Sequence, residues 1–367
     1  MKKISILLLA GLFLWGCSQE GEPEVKNEDN FDRSAMLQNW ADNIIIPAYE
    51  TYVAELSELT QAKNAFVTKS DLSSFQALKT QWLEAYIAWQ RVSMFEIGKA
   101  EELTLRDYTN IFPTDAEEIE ENITSGQYNL ELPSTRAQQG FPALDYLLHG
   151  SAESEATILA RFEGNPAMMT YLSDLADRLE MLSTQVLDDW KSGYRDTFIA
   201  SDGSNASSSV NKFLNDFLFY YEKALRAGKI GIPAGVFSNT PLSDRVEALY
   251  KRDASKVLFE TALQAVVDFF NGRHFNENAT GESLVNYLDF LNTITQGESL
   301  SALINDQFQE AIDAGQALDD NFYNEVETNN QAMLKTYDAL QANVILMKVD
   351  MFQALNIKVD YVDADGD

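Results

Sequence analysis

Asp145 and His149 stand four residues apart in the segment Gly140-Phe141-Pro142-Ala143-Leu144-Asp145-Tyr146-Leu147-Leu148-His149-Gly150. Gly140 frees the backbone for a turn, Pro142 suits the first turn of a helix, and Gly150 suits the stop, so the segment predicts a short capped helix. At i and i+4 the carboxylate and the imidazole project from one helical face and would form a two-ligand half-site for a divalent cation. His149 also occupies the last turn, where a histidine satisfies terminal carbonyls and complements the helix dipole; that position favours the structural role. A second acidic run, Asp363-Ala364-Asp365-Gly366-Asp367, begins like a calcium loop but lacks the downstream ligands. Residues 362–367 therefore read as a solvated acidic tail.

Other chemistries find little support. His149 and His274 lie far apart in the chain, and neither a His-Glu-x-x-His pattern nor a Gly-x-Ser-x-Gly turn is present. A catalytic zinc needs about three protein ligands with histidine prominent among them. The single cysteine, Cys17, closes a short apolar run, Ile4 to Trp15, which follows Lys2 and Lys3 and ends on Gly16. That is the pattern of a secretory leader over residues 1–16, with Cys17 acylated as the first residue of a bacterial lipoprotein. The run is too short to span a bilayer. With no cysteine left over, there is no disulfide framework and no thiolate for haem or an iron–sulfur cluster, so stability rests on packing.

The net charge is −30, and loss of the leader removes Lys2 and Lys3 and no acid. Like-charge repulsion excludes nucleic acid and anionic lipid surfaces as partners; cations fit, and so does a plain solubilising surface. Membrane attachment must then come from the lipid on Cys17. Residues 17–30 are polar and acidic and read as a flexible tether.

From Phe31 onward the apolar period is helical almost everywhere. Leu37, Trp40, Ile44, Ala48 and Val53 begin one stripe, with Pro47 expected to kink it. Phe75, Leu78, Trp82, Tyr86 and Trp89 form another, and Leu172, Leu175, Leu179, Leu182, Val186 and Trp190 a third. Later stripes run from Phe213 to Leu225, from Leu258 to Phe269, and from Met333 to Met351. Aromatic and methionine residues at this spacing belong to a core rather than to a cofactor box. The chain is expected to be all-α: two packed helical bundles over residues 31–200 and 210–361, divided at the small polar stretch Ser201 to Ser209.

Five segments together resemble the imelysin-like family, grouped with peptidase family M75 and with iron-regulated protein A. They are Gln81-Trp82 through Trp89-Gln90-Arg91, Asn110-Ile111-Phe112-Pro113-Thr114-Asp115, Gly140 to Gly150, Lys229-Ile230-Gly231-Ile232-Pro233-Ala234-Gly235, and Ala354-Leu355-Asn356-Ile357 to Asp367. The resemblance implies two helical bundles with a groove near the Gly140 segment, and Gly140, Phe141, Pro142, Asp145, Arg91 and Asp115 as ligand-binding residues. The family signature there is Gly-x-His-x-x-Glu. In this chain Pro142 takes the histidine position and Asp145 the glutamate position, so the metal-holding half of the signature fails while a carboxylate stays. Within the matching segments a buried Arg91 is expected to pair with Asp115 or Asp145, as an ion pair fixing the groove or as a ligand contact. The resemblance implies an envelope protein, lipid-anchored in the outer membrane with its face open, which binds rather than cleaves. Its expected cargo is iron or another divalent cation, and its expected partner an iron-uptake receptor or transporter. An M75-type metallopeptidase and an envelope interaction scaffold are the alternatives.

Overall fold

The computed structural model describes residues 29–295 and 298–361; the leader, Cys17 and the acidic tail lie outside the described residues. The chain is all-α. Its strands among the described residues are Ile294–Thr295 and Glu298–Ser299, paired antiparallel with Ile294 opposite Ser299. The folded part begins slightly earlier than expected, because Asp29 accepts from Arg33 at 2.6 Å and from the Tyr287 hydroxyl at 2.7 Å.

The helices that matter below are α1 (Arg33–Asn39), α2 (Ile46–Thr68), α3 (Leu72–Gln90), α4 (Ala116–Ser125), α5 (Gly140–Asp145), α6 (Pro166–Asp189), α7 (Ser209–Phe219), α8 (Ser255–Phe270), α9 (Leu300–Gln316) and α10 (Phe322–Ile345). Short polar residues start them. Asp71 and Ser74 form a reciprocal capping box on α3, and Asn165 accepts from two backbone N–H groups ahead of α6. Pro47 does not kink a helix midway as expected. It sits in the first turn of α2, where no N–H is needed, and the irregularity falls just before it in a π-helical turn, Trp40–Ile45, closed by the Ile46 N–H on the Ala41 carbonyl.

The apolar stripes face inward as their period requires. Phe75, Leu78, Trp82, Tyr86 and Trp89 are buried on α3, and Leu172, Leu175, Leu179, Leu182 and Val186 on α6. Each such side chain contributes about 1.5–3 kcal/mol on burial. Helix α2 packs on α3 and α6; beyond the non-helical stretch 201–208, α9 packs on α8 and α10, and α10 on a π-helical stretch, Tyr220–Gly231. The core is continuous between the two halves. Trp40 stacks at 5.3 Å on Phe213 and 4.7 Å on Phe269, and Phe95 meets the same two rings at 5.9 and 5.8 Å. Among the described residues no helix is long and apolar enough to cross a membrane.

Candidate functional site: a cleft over a buried ionic floor

Helix α5 enters on Gly140, whose φ of +77° and close approach to the Thr109 carbonyl leave no room for a Cβ. Phe141 lies flat on Tyr86 at 4.5 Å, and its carbonyl accepts from the Trp82 indole N–H at 3.2 Å. Pro142 is buried in the first turn. Asp145 ends the helix almost fully buried, with Oδ2 accepting from the Tyr250 N–H and Oδ1 from the Lys251 N–H, both at 2.9 Å. Burial pushes its carboxyl up to about 7, against the two backbone donors that favour the charged form. Asp145 thus clamps the irregular loop that precedes α8.

Asp145 and His149 do not form a half-site. A π-helical turn, Tyr146–Gly150, starts directly after Asp145, and its extra residue per turn breaks the i, i+4 alignment of an α-helix. His149 packs at 5.1 Å on Trp82 with its Nε2 unpartnered; burial, then Lys79 and Lys251, push its pKa down to about 3. Two lysines beside it oppose a cation, and both Asp145 oxygens are already engaged, so these residues do not fit a metal ion. Among the described residues no group of three His, Cys, Asp or Glu side chains is placed to hold one. Nor does His149 cap its helix: the Leu147 carbonyl accepts from the Ser151 hydroxyl at 3.0 Å. Gly150 serves packing rather than a stop, since a Cβ there would meet the Tyr250 ring at 2.1 Å.

The loop held by Asp145 carries Glu247 into the centre of the molecule. Glu247 is 2 % exposed; its Oε1 accepts from Gln90 at 3.1 Å and Asn110 at 2.7 Å, and its Oε2 from the Lys229 ammonium. Lys229 also donates to Gln90 Oε1 at 2.8 Å, and the Tyr86 hydroxyl donates to Asn110 Oδ1 at 2.5 Å. Burial lowers the pKa of Lys229 against the pull of Glu247. Four parts of the chain, from α3 to the pre-α8 loop, close this network, and the Ser255 hydroxyl fixes it from behind through the Glu247 carbonyl at 2.7 Å.

Above this floor opens a cleft of about 340 Å³. Trp89, the cis-linked Phe112-Pro113, Phe219 and Ile232 give it apolar walls. Gln90, Asn110 and Lys229 reach it from the network. Arg106, paired with Glu96 at 3.0 Å and Asp216 at 3.0 Å, lines it as well, together with Lys223 and Arg245. No histidine lines it.

Of the residues expected at the site, Gly140, Phe141, Pro142 and Asp145 share α5, while the ion pair expected of Arg91 is not formed. Arg91 pairs with neither Asp115 nor Asp145; it makes no ion pair among the described residues and lies 5.9 Å from the Phe275 ring, on a separate cavity of about 200 Å³ that His274 also lines. Asp115 caps α4, accepting from the Glu118 N–H at 3.1 Å. The segments were legible and the residues within them were displaced: Gln90 beside Arg91, Asn110 before Asp115, and Lys229 at the head of its run. Glu247 carried no periodic signal, only an acid between Val246 and Ala248 in a stretch otherwise polar.

These features define an all-α protein with a ligand-sized cleft lined by residues from before and after the stretch 201–208. The sequence model of imelysin, peptidase M75, matches residues 45–346, and the chain belongs to that family. Two solved structures share the fold. An imelysin-like protein from Psychrobacter arcticum 273-4 superposes with a TM-score of 0.70 at 16% identity, covering 90% of this chain and 97% of its own. A protein described as an iron-regulated protein A precursor, from Parabacteroides distasonis ATCC 8503, gives 0.71 at 17% identity, covering 88% of this chain and 94% of its own. No curated protein sequence matches.

Proposed function

We propose that this chain is a non-catalytic binding protein of the bacterial envelope, tethered by a lipid on Cys17, that receives a small ligand in the cleft over the Gln90–Lys229–Glu247 floor. The cleft carries the reading: it joins residues of both halves, is large enough for a small molecule, and rests on polar groups already satisfied by one another. Hydrolysis needs a general base or a metal-bound water within reach of the substrate. Glu247 spends both oxygens on Lys229, Gln90 and Asn110, and Asp145 spends both on backbone N–H groups. A part in iron uptake is supported by the family and by the description of the Parabacteroides protein as iron-regulated. The partner would be a receptor or transporter of the same envelope.

The test is a peptide-hydrolysis assay on the purified full chain with and without a chelator, beside iron uptake in cells lacking the gene. No hydrolysis and reduced uptake are expected. Chelator-sensitive hydrolysis that disappears in Gly228→Leu, which narrows the cleft opposite Phe112, would restore the peptidase reading.

A further inference from the structure

From the charge pattern of this cleft, we infer that its ligand is a small anion with a flat apolar body. The inference rests on the reading that the cleft is the ligand site. Across the whole chain acids outnumber bases 57 to 27. On the cleft lining the ratio is reversed: Arg106, Lys223, Lys229 and Arg245 face it, against Asp107 alone. Asp107 is moreover tied to Arg136 at 2.8 Å.

The acids that balance these cations stand outside the lining. Glu96 and Asp216 hold Arg106, Glu222 holds Lys223 at 2.8 Å, and Glu247 holds Lys229, and none of the four belongs to the cleft wall. The cleft wall thus carries the cationic member of each pair, while the carboxylate member lies off it. Arg245 is half-exposed, with Asp244 at 3.7 Å as its carboxylate neighbour, and keeps most of its charge for an incoming group. An acidic protein would repel an anion in bulk; a basic island inside it gives one place where the field is favourable.

The walls set the rest of the ligand. Trp89, Phe112, Pro113, Phe219 and Ile232 offer flat and branched apolar surface, and Gly228 leaves the wall low, since a Cβ there would meet the Lys223 carbonyl at 3.3 Å and the Phe112 ring at 3.9 Å. A planar body slides between such surfaces while a carboxylate meets the lining cations. A bare ferric or other divalent or trivalent ion is the wrong ligand for this lining. Iron carried here would travel inside a negatively charged complex.

The experiment uses two probes of one shape and opposite charge, 2-naphthoate and 2-naphthylmethylammonium, titrated calorimetrically into the full chain in detergent. Naphthoate is expected to bind at least about tenfold more tightly than the ammonium compound, and to weaken as salt is raised. Arg245→Gln should reduce naphthoate affinity about fivefold without moving the thermal midpoint, and Gly228→Leu should abolish it. Equal affinities, or preference for the ammonium compound, overturn the anion assignment and leave the cleft as a binding site. Naphthoate binding that survives Gly228→Leu overturns the location and the cleft reading with it. Failure of both probes to bind in the millimolar range overturns both.

Discussion

Asp145 and Glu247 are both buried carboxylates linked through Tyr250, which lies three residues after Glu247 and donates its N–H to Asp145, yet they are solved in opposite ways. Asp145 is answered by two backbone N–H groups, with Lys251 acting on it only as a nearby charge, and its carboxyl rises to about 7. Glu247 is answered by an ammonium and two side-chain amides drawn from α3, the Asn110 turn and the π-helical stretch. Backbone donors hold a loop; a lysine and amides build a surface. The first arrangement is local bracing, whereas the second gathers distant segments and leaves their other faces on a cleft. The family signature points at the brace, and the ligand-sized space lies over what the brace positions.

The largest effect should come from breaking the ion pair on one side only. Lys229→Met leaves Glu247 buried without its cation, which costs about 3–5 kcal/mol in urea unfolding. Adding Glu247→Leu removes the stranded charge and should recover part of this, leaving about 1–3 kcal/mol from the unanswered Gln90 and Asn110 amides. A double variant less stable than the single one would mean that Glu247 has other support and that the comparison with Asp145 is drawn wrongly.

Asp145→Asn is expected to cost less, about 1–3 kcal/mol, since an amide can accept only one of the two backbone N–H groups. Its pH dependence sharpens the contrast. The folded carboxyl titrates near 7 and the unfolded one near 3.8, so the folded state binds the extra proton across that window. The contribution of Asp145 is fully present below the unfolded value and is lost as pH rises toward 7. The stability advantage of the natural chain over Asp145→Asn should therefore shrink from pH 4 to pH 7 and level off above it, read as urea midpoints of the two proteins side by side. Burial also pushes Glu96 up to about 7, but that group is common to both proteins and cancels in the difference. An advantage that grows with pH would show the two backbone donors outweighing burial.

The helices were legible because burial imposes a 3.6-residue period that Phe75 to Trp89 and Leu172 to Val186 obey. The site was legible only to the level of segments. At Asp145 and His149 the π-helical turn shifts the phase that an α-helical reading assumes, so two residues counted onto one face have separate surroundings. At Gln90 and Asn110 the network uses uncharged amides, while the charged neighbours Arg91 and Asp115 drew the chemistry to themselves. Glu247 lies in a loop without period, and its partners come from more than a hundred residues away, through Gln90 and Asn110. Long-range pairing of that kind leaves no local pattern to read.

The smallest effects test whether the expected ion pairs are truly separate. Asp115→Ala should cost about 1 kcal/mol, the worth of a helix N-cap, because its side chain accepts the Glu118 N–H at 3.1 Å. Arg91→Gln should cost about 0.5–1 kcal/mol, since what it loses is a cation over the Phe275 ring at 5.9 Å. The informative quantity is the coupling between them. Arg91 shares no partner with Asp115 or with Asp145, so the doubles Arg91→Gln/Asp115→Ala and Arg91→Gln/Asp145→Asn should be additive to within about 0.5 kcal/mol. A pair of charges joined inside the fold would instead show a coupling of about 1 kcal/mol or more, with the double less destabilised than the sum. Such coupling would bring Arg91 into the bracing of Asp145 and move the ionic centre of the molecule back to the signature segment; its absence keeps that centre at Lys229 and Glu247.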